Sequence, residues 1–231
     1  MEDHGYIKRN YEKLRRELDE LAEKLSVPQI KLVCVTKSGS DEELLALCQA
    51  GASDIGENRP GELSRRGELL RDKGFTPSLH EIGTLQRNKV KYIIDKVALI
   101  HSLDKLSLAE EIDRRAGAIG RIVPVLIEVN SAAEENKSGA TFEYARELAE
   151  EIRGFKNISL MGLMTMGPAV SDPEELRPYF RKTKALFDEM KRQGLFEGDG
   201  ILSMGMSDSW RVAVEEGSTL VRVGRHLFIK D

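Results

Sequence analysis

Three features of this sequence carry side chains that could act together on one ligand. They are a lysine at the end of an apolar run, a glycine-containing turn with a serine, and an arginine inside another apolar run. Lys37 follows Leu32-Val33-Cys34-Val35-Thr36. Side chains alternate along a strand, so Val33, Val35 and Lys37 share one face, and an amine desolvated at the end of that face is available to attack an aldehyde. The plainer account is a solvated lysine just past a strand. The turn Ser203-Met204-Gly205-Met206-Ser207-Asp208 leads into a helix-like segment, and Arg222-Val223-Gly224-Arg225 closes the last apolar run. Backbone N–H groups of such turns, with the Ser207 hydroxyl, suit a phosphate dianion. Arg222 has the opposite parity to Val221 and Val223 and needs a partner, either a ligand or a structural carboxylate, unless it faces outward between helices.

Other polar residues stand where they could line the same site. Asn58, in Ile55-Gly56-Glu57-Asn58-Arg59, and the run Ile82-Gly83-Thr84-Leu85-Gln86-Arg87-Asn88-Lys89 each follow an apolar run. Asn58 could equally be a helix N-cap, and Arg87, Asn88 and Lys89 the polar face of a helix. His80 and His101 read as hydrogen-bonded core residues rather than catalysts. The methionines near 161–166 and 204–206 read as packing.

These residues need a scaffold that brings distant strand ends together. After a charged amphipathic helix at about 3–25, with Leu14, Leu18, Leu21 and Leu25 on one face, strand candidates recur at 31–36, 53–56, 79–83, 98–102, 122–130, 158–164, 200–204 and 219–223. Helix-period segments near 41–50, 58–73, 86–95, 104–117, 141–153, 173–193 and 208–216 separate them, some opened by capping signals such as Ser40-Asp41-Glu42-Glu43. Eight strands alternating with helices predict an α/β fold, a single (β/α)8 TIM barrel with an extra N-terminal helix. An open doubly wound sheet would carry a Gly-rich turn after its first strand, where this chain has Thr36-Lys37-Ser38-Gly39. No linker or low-complexity tract divides the chain, so residues 1–231 read as one domain. In such a barrel the loops after the strands build the site, with phosphate held after strands seven and eight.

Composition excludes several other classes. Apolar residues make up 40% and charged residues 32%, and 35 basic against 39 acidic residues leave a net charge of −4. That balance argues against a nucleic-acid partner or an anionic-membrane partner. No stretch looks like a signal peptide or a bilayer span, which predicts a cytoplasmic protein. Cys34 and Cys48 read as core thiols, and no metal-ligand spacing occurs.

Taken in order, the segments resemble the YggS/PROSC family of pyridoxal 5′-phosphate (PLP) homeostasis proteins, which is related to the barrel domain of alanine racemase. The resemblance rests on Val35-Thr36-Lys37, Ile55-Gly56-Glu57-Asn58, His80 with Ile82-Gly83 through Lys89, and His101-Ser102-Leu103-Asp104. It continues through Val129-Asn130 with Lys137-Ser138-Gly139, Gly162-Leu163-Met164, Ser203 through Asp208, and Gly217 through Gly224. It implies an alanine-racemase-type barrel in which Lys37 forms the internal aldimine with PLP. Ser207, Gly224 and the backbone of Arg225 would hold the phosphate, Arg222 would face the pyridine nitrogen, and Asn58 would approach the ring. An arginine at the ring nitrogen weakens the ring as an electron sink, which suits a holder or a racemase-like protein better than a transaminase.

The chain departs from the usual family pattern at Glu81 and Thr84, at Ser209-Trp210, and at Arg225-His226, where the lost hydroxyl removes one phosphate donor. The expectation is a PLP-binding protein without catalytic turnover that meets PLP-dependent apo-enzymes transiently. The alternative is an amino-acid racemase acting through Lys37, which needs a second base. Alanine racemases draw theirs, a tyrosine, from a C-terminal domain of the partner subunit. Here the chain ends at Asp231 just after the last strand and no tyrosine lies in a strand-end segment, so no second base is in view. Without the racemase's second domain and its dimer contact, a monomer is expected. A barrel with a Schiff-base aldolase lysine acting on a phosphorylated substrate is a third reading.

Overall fold

The computed structural model describes residues 4–134 and 138–230. Eight parallel strands run in sequence order β1 (Lys31–Val35), β2 (Asp54–Glu57), β3 (Ser78–Glu81), β4 (Leu99–Leu103), β5 (Val123–Val129), β6 (Ile158–Thr165), β7 (Ile201–Ser203) and β8 (Leu220–Val223). The sheet closes through β1 and β8 into the expected barrel, with Val33 opposite Arg222 and Cys34 opposite Val223. The strands are short and buried on both faces, as a parallel sheet covered by helices requires.

Strand parity separates two cores. Cys34, Ile55, Ile100, Ile127, Leu163, Leu202 and Val221 face outward into the main core beneath the helices. Val33, Leu99, Leu126, Met164 and Leu220 form a small apolar plug in the lumen. Both cysteines are buried and unpaired, and burial pushes the Cys34 thiol far up from its usual range.

The outer layer consists of α2 (Asp41–Gln49), α3 (Pro60–Asp72), α4 (Leu106–Ala118), α5 (Phe142–Ile152), α6 (Arg177–Arg192) and α7 (Trp210–Glu215). The capping box expected at Ser40 is present, with Glu43 N–H donating to Ser40 Oγ at 3.2 Å and Ser40 N–H to Glu43 Oε2 at 2.6 Å. Before the barrel, α1 (Gly5–Leu25) buries Tyr6, Ile7, Leu14, Leu18 and Ala22 and packs against α2, α7 and the final turn of the chain. Leu21 and Leu25, expected on its inner face, are only partly buried.

The helix expected at 86–95 is instead a 3-10 turn over Arg87–Tyr92. Val90 in this turn and Ile93, Ile94 and Val97 just after it are buried with helical spacing, but all are β-branched, which lowers helix propensity in a short connection. Among the described residues no helix is long and apolar enough to cross a membrane.

Candidate functional site

Lys37 lies in the turn just beyond β1 and is exposed, not desolvated as the sequence reading expected. The strand stops before it, at Val35, so the side chain is not enclosed by the lumen. Its amine makes no ion pair or hydrogen bond with any described residue.

The turn that carries Lys37 is firmly held. Arg66, buried on α3, donates from Nη1 to the Thr36 carbonyl and from Nη2 to the Gly39 carbonyl, each at 2.6 Å, and so brackets the lysine. The same Nη1 reaches Glu57 Oε1 at 2.6 Å, and the Thr36 hydroxyl donates to that oxygen at 2.5 Å. Glu57 and Arg66 are only 2% and 6% exposed, so the Glu57 charge is matched chiefly by Arg66, whose Nε also lies 3.6 Å from Asp41 Oδ1 and 3.8 Å from Glu62 Oε2. Gly39 completes the turn, because a Cβ there would stand 2.5 Å from the Phe228 ring. In the sequence Arg66 looks like one more arginine on an amphipathic helix. Its signal was parity: it shares the buried face of Leu63 and Leu70.

Closure of β8 against β1 brings the turn after β8 beside the lysine turn. A Cβ at Gly224 would sit 3.0 Å from the Val35 carbonyl oxygen and 3.3 Å from the Val35 Cβ, so only glycine leaves its backbone accessible there. Gly224 N–H donates to Ser207 Oγ at 3.3 Å, which draws the β7 and β8 turns into one cradle. Ser207 is buried, and its hydroxyl proton remains available to an anion. Arg225 is exposed, and its guanidinium is tied to Asp208, which His226 also approaches at 3.7 Å. The Arg225 side chain therefore braces the cradle, leaving the backbone as its means of holding phosphate.

Arg222 is buried inside the barrel, which rules out the outward-facing alternative. It donates from Nη1 to Ser203 Oγ at 2.5 Å and from Nη2 to the Thr165 carbonyl at 3.0 Å. Burial pushes the guanidinium down to about 10, partly offset by the charge of Glu128, so it stays a cation at neutral pH. Glu128, also buried, has its carboxyl raised mainly by burial despite a hydrogen bond from Ser138 Oγ at 2.9 Å. Nothing in the β5 sequence pattern had set Glu128 apart.

Asn58 is half-buried after β2, and its carboxamide makes no hydrogen bond to a described residue. It is not the α3 N-cap, a position occupied by Arg59. Arg87, Asn88 and Lys89 are exposed on the 3-10 turn. Thr84 Oγ1 meets Ser138 Oγ at 3.5 Å, and Lys137 lies outside the described residues. Glu81 is fully buried, its Oε1 accepting from Gly83 N–H at 3.1 Å, and burial pushes its carboxyl up to about 8. Trp210 is buried, with the Arg211 guanidinium 4.3 Å over its ring. His80 and His101 are hydrogen-bonded core residues, as expected.

The site thus offers an uncommitted amine, a serine and glycine cradle suited to a phosphate, and a buried cation beneath them. That donor set fits a phosphorylated aldehyde with a basic ring atom.

Comparison with known proteins points to the same chemistry. The family model for the alanine racemase N-terminal domain matches residues 9–230. The pyridoxal phosphate homeostasis protein of Aquifex aeolicus is 43% identical over 198 residues, covering 86% of each chain. That of Helicobacter pylori is 37% identical over 201 residues, covering 86% of this chain and 87% of its own. The solved structure of PipY from Synechococcus elongatus with PLP bound superposes with a TM-score of 0.85 at 28% identity, covering 96% of this chain and all of PipY.

Proposed function

This chain belongs to the alanine racemase N-terminal domain family, and from that membership we propose that it is a pyridoxal phosphate homeostasis protein that holds PLP at the mouth of its barrel. The observation that carries the reading is the gathering of Lys37, Ser207 and Gly224 at the neighbouring ends of β1, β7 and β8, above the buried Arg222 cation. PLP, when bound, supplies an aldehyde that condenses with a primary amine. Lys37 presents that amine on a turn clamped by Arg66. The Ser207 hydroxyl and the backbone N–H groups of Gly224 and Arg225 hold the phosphate. Arg222 would face the ring nitrogen and, as a cation at neutral pH, would keep that nitrogen unprotonated. Asn58, whose carboxamide no described residue engages, would approach the ring.

The same reading makes the protein a holder without turnover. Racemisation needs a second base opposite the lysine, and the five tyrosines all lie in helices or the 3-10 turn, not at strand ends: Tyr6 and Tyr11 in α1, Tyr92 in the turn, Tyr144 in α5 and Tyr179 in α6. We read residues 1–231 as one domain, cytoplasmic and monomeric, that passes cofactor transiently to apo-enzymes.

Adding PLP to the purified protein is expected to produce a Schiff-base absorbance band, and borohydride followed by peptide mapping is expected to fix the label on Lys37. A protein that stays colourless and takes up no PLP refutes the reading. Rapid exchange of an amino acid's α-proton in heavy water refutes the absence of turnover.

A further inference from the structure

Behind Arg222 the lumen contains a chain of polar groups that the holding of PLP does not itself require. Arg222 Nη1 donates to Ser203 Oγ on β7. Ser203 Oγ lies 3.1 Å from His101 Nδ1 on β4, across the lumen from β7. His101 Nε2 lies 2.9 Å from His80 Nδ1 on β3. His80 Nε2 lies 3.0 Å from Asp54 Oδ1 at the start of β2. Asp54 is in turn held by Ser53 Oγ at 2.7 Å and by Lys31 Nζ at 3.2 Å, at the start of β1. All five residues from Asp54 to Arg222 are at most 6% exposed, so these hydrogen bonds run between groups shielded from bulk solvent.

Only one arrangement of protons satisfies every member. Arg222 can only donate, so Ser203 Oγ accepts from it. If Ser203 then donates its own proton to His101 Nδ1, His101 carries Nε2–H and donates it to His80 Nδ1, and His80 carries Nε2–H and donates it to Asp54. Both imidazoles are neutral and every group is paired. In the reverse sense His80 is doubly protonated and His101 carries Nδ1–H. Ser203 Oγ then accepts from both His101 and Arg222, and its hydroxyl proton has no acceptor. That sense also adds a buried cation to a lumen that already contains Arg222. Burial, the largest cause, holds His101 well below the usual imidazole range, so it stays neutral. Burial by itself would raise the Asp54 carboxyl, but hydrogen bonds from His80 and Ser53, with nearby charge, outweigh it and hold the group well below its usual range, so an acceptor stands fixed at the far end.

We propose that Asp54, His80, His101 and Ser203 form one directed hydrogen-bond relay through the barrel interior that positions the Arg222 guanidinium toward the ring of bound PLP. They are positioning residues, since none of the four touches the cofactor in the site described above. Ser203 and the Thr165 carbonyl fix two guanidinium nitrogens and so the plane of the group. The orientation of Ser203 is set by a histidine tautomer, and that tautomer is set by a carboxylate at the opposite end of the lumen. The inference rests on the reading that Arg222 faces the ring nitrogen.

Nitrogen-15 NMR of the histidine side chains in the whole protein tests the relay directly, because the chain has only four histidines. At neutral pH His80 and His101 are expected as neutral Nε2–H tautomers with Nδ1 accepting. With PLP labelled at the ring nitrogen, Ser203→Ala is expected to shift both the His101 Nδ1 resonance and the ring-nitrogen resonance. Ser203→Thr, which keeps the hydroxyl, is expected to restore both. An Nδ1–H tautomer at either histidine overturns the proposal even if Ser203→Ala fails to fold. A ring resonance that moves in Arg222→Lys but stays in place in Ser203→Ala overturns the relay alone. Failure to take up PLP, or a ring resonance that Arg222→Lys leaves in place, overturns the reading beneath it and the relay's target together.

Discussion

Replacing Arg66 with methionine separates the support of the lysine turn from the chemistry of the lysine. The substitution keeps the length and apolar stem of the side chain but removes the hydrogen bonds to Thr36 O, Gly39 O and Glu57 Oε1. It also strands the Glu57 carboxylate, 2% exposed, with only the Thr36 hydroxyl as partner. Breaking a buried pair by removing one member costs about 3–5 kcal/mol, and a chain of this size loses about 2–4 °C per kcal/mol, so the melting temperature is expected to fall by roughly 6–20 °C.

Removing both charges is less harmful than removing one. Glu57→Gln combined with Arg66→Met is therefore expected to recover more than half of that loss, since the carboxamide introduced by Glu57→Gln still accepts from the Thr36 hydroxyl. Calorimetry of the two single variants and the double variant gives the coupling. PLP titration of the double variant then reports the clamp itself: with stability largely restored, affinity is expected to stay below wild type because the Thr36 and Gly39 carbonyls remain unheld. A double variant as unstable as Arg66→Met refutes the charge-stranding argument. One with wild-type PLP affinity refutes the clamp.

Three further outcomes follow from the same geometry. Lys37→Ala is expected to abolish the Schiff-base band while leaving weaker, noncovalent PLP binding through Ser207 and Gly224; a normal band in that variant would place the linkage on another lysine. Ser207→Ala removes one hydroxyl donor to a dianion, a charge-assisted bond of about 1.5–3 kcal/mol, so PLP affinity measured by equilibrium titration is expected to fall by roughly 10–150-fold. A change of less than about threefold would exclude Ser207 from the phosphate site. For Glu81, burial pushes the folded carboxyl up to about 8 from an ordinary value of 4.5. Between those values the folded state binds the extra proton, so its contribution to stability is present at low pH and is lost as pH rises toward about 8. Glu81→Gln, which keeps an acceptor for Gly83 N–H, is expected to flatten melting temperature against pH from 5 to 8, and an unchanged slope would assign the pH dependence elsewhere.

What this sequence determined by itself was local and periodic. Apolar runs of strand length alternating with helix-period segments are enough to specify eight βα units, and short-range capping chemistry at Ser40 marked a true helix start. Residues in and just after the apolar runs also singled out Lys37, Ser207, Arg222 and Gly224 as candidates, because a barrel builds its site from the loops after its strands. The tertiary structure decided what those residues meet. Arg66 reaches the lysine turn from 30 residues away, Gly224 leans on Ser207 from 17 away, and His101 finds Ser203 from 102 away across the lumen. Each contact depends on barrel closure and on register. A one-residue slip in either strand would turn the side chain to the other face, and periodicity alone does not encode which of two faces closes inward. The same reason hid the two histidines: each is unremarkable in its own strand, and only the closed barrel sets them end to end between Asp54 and Arg222.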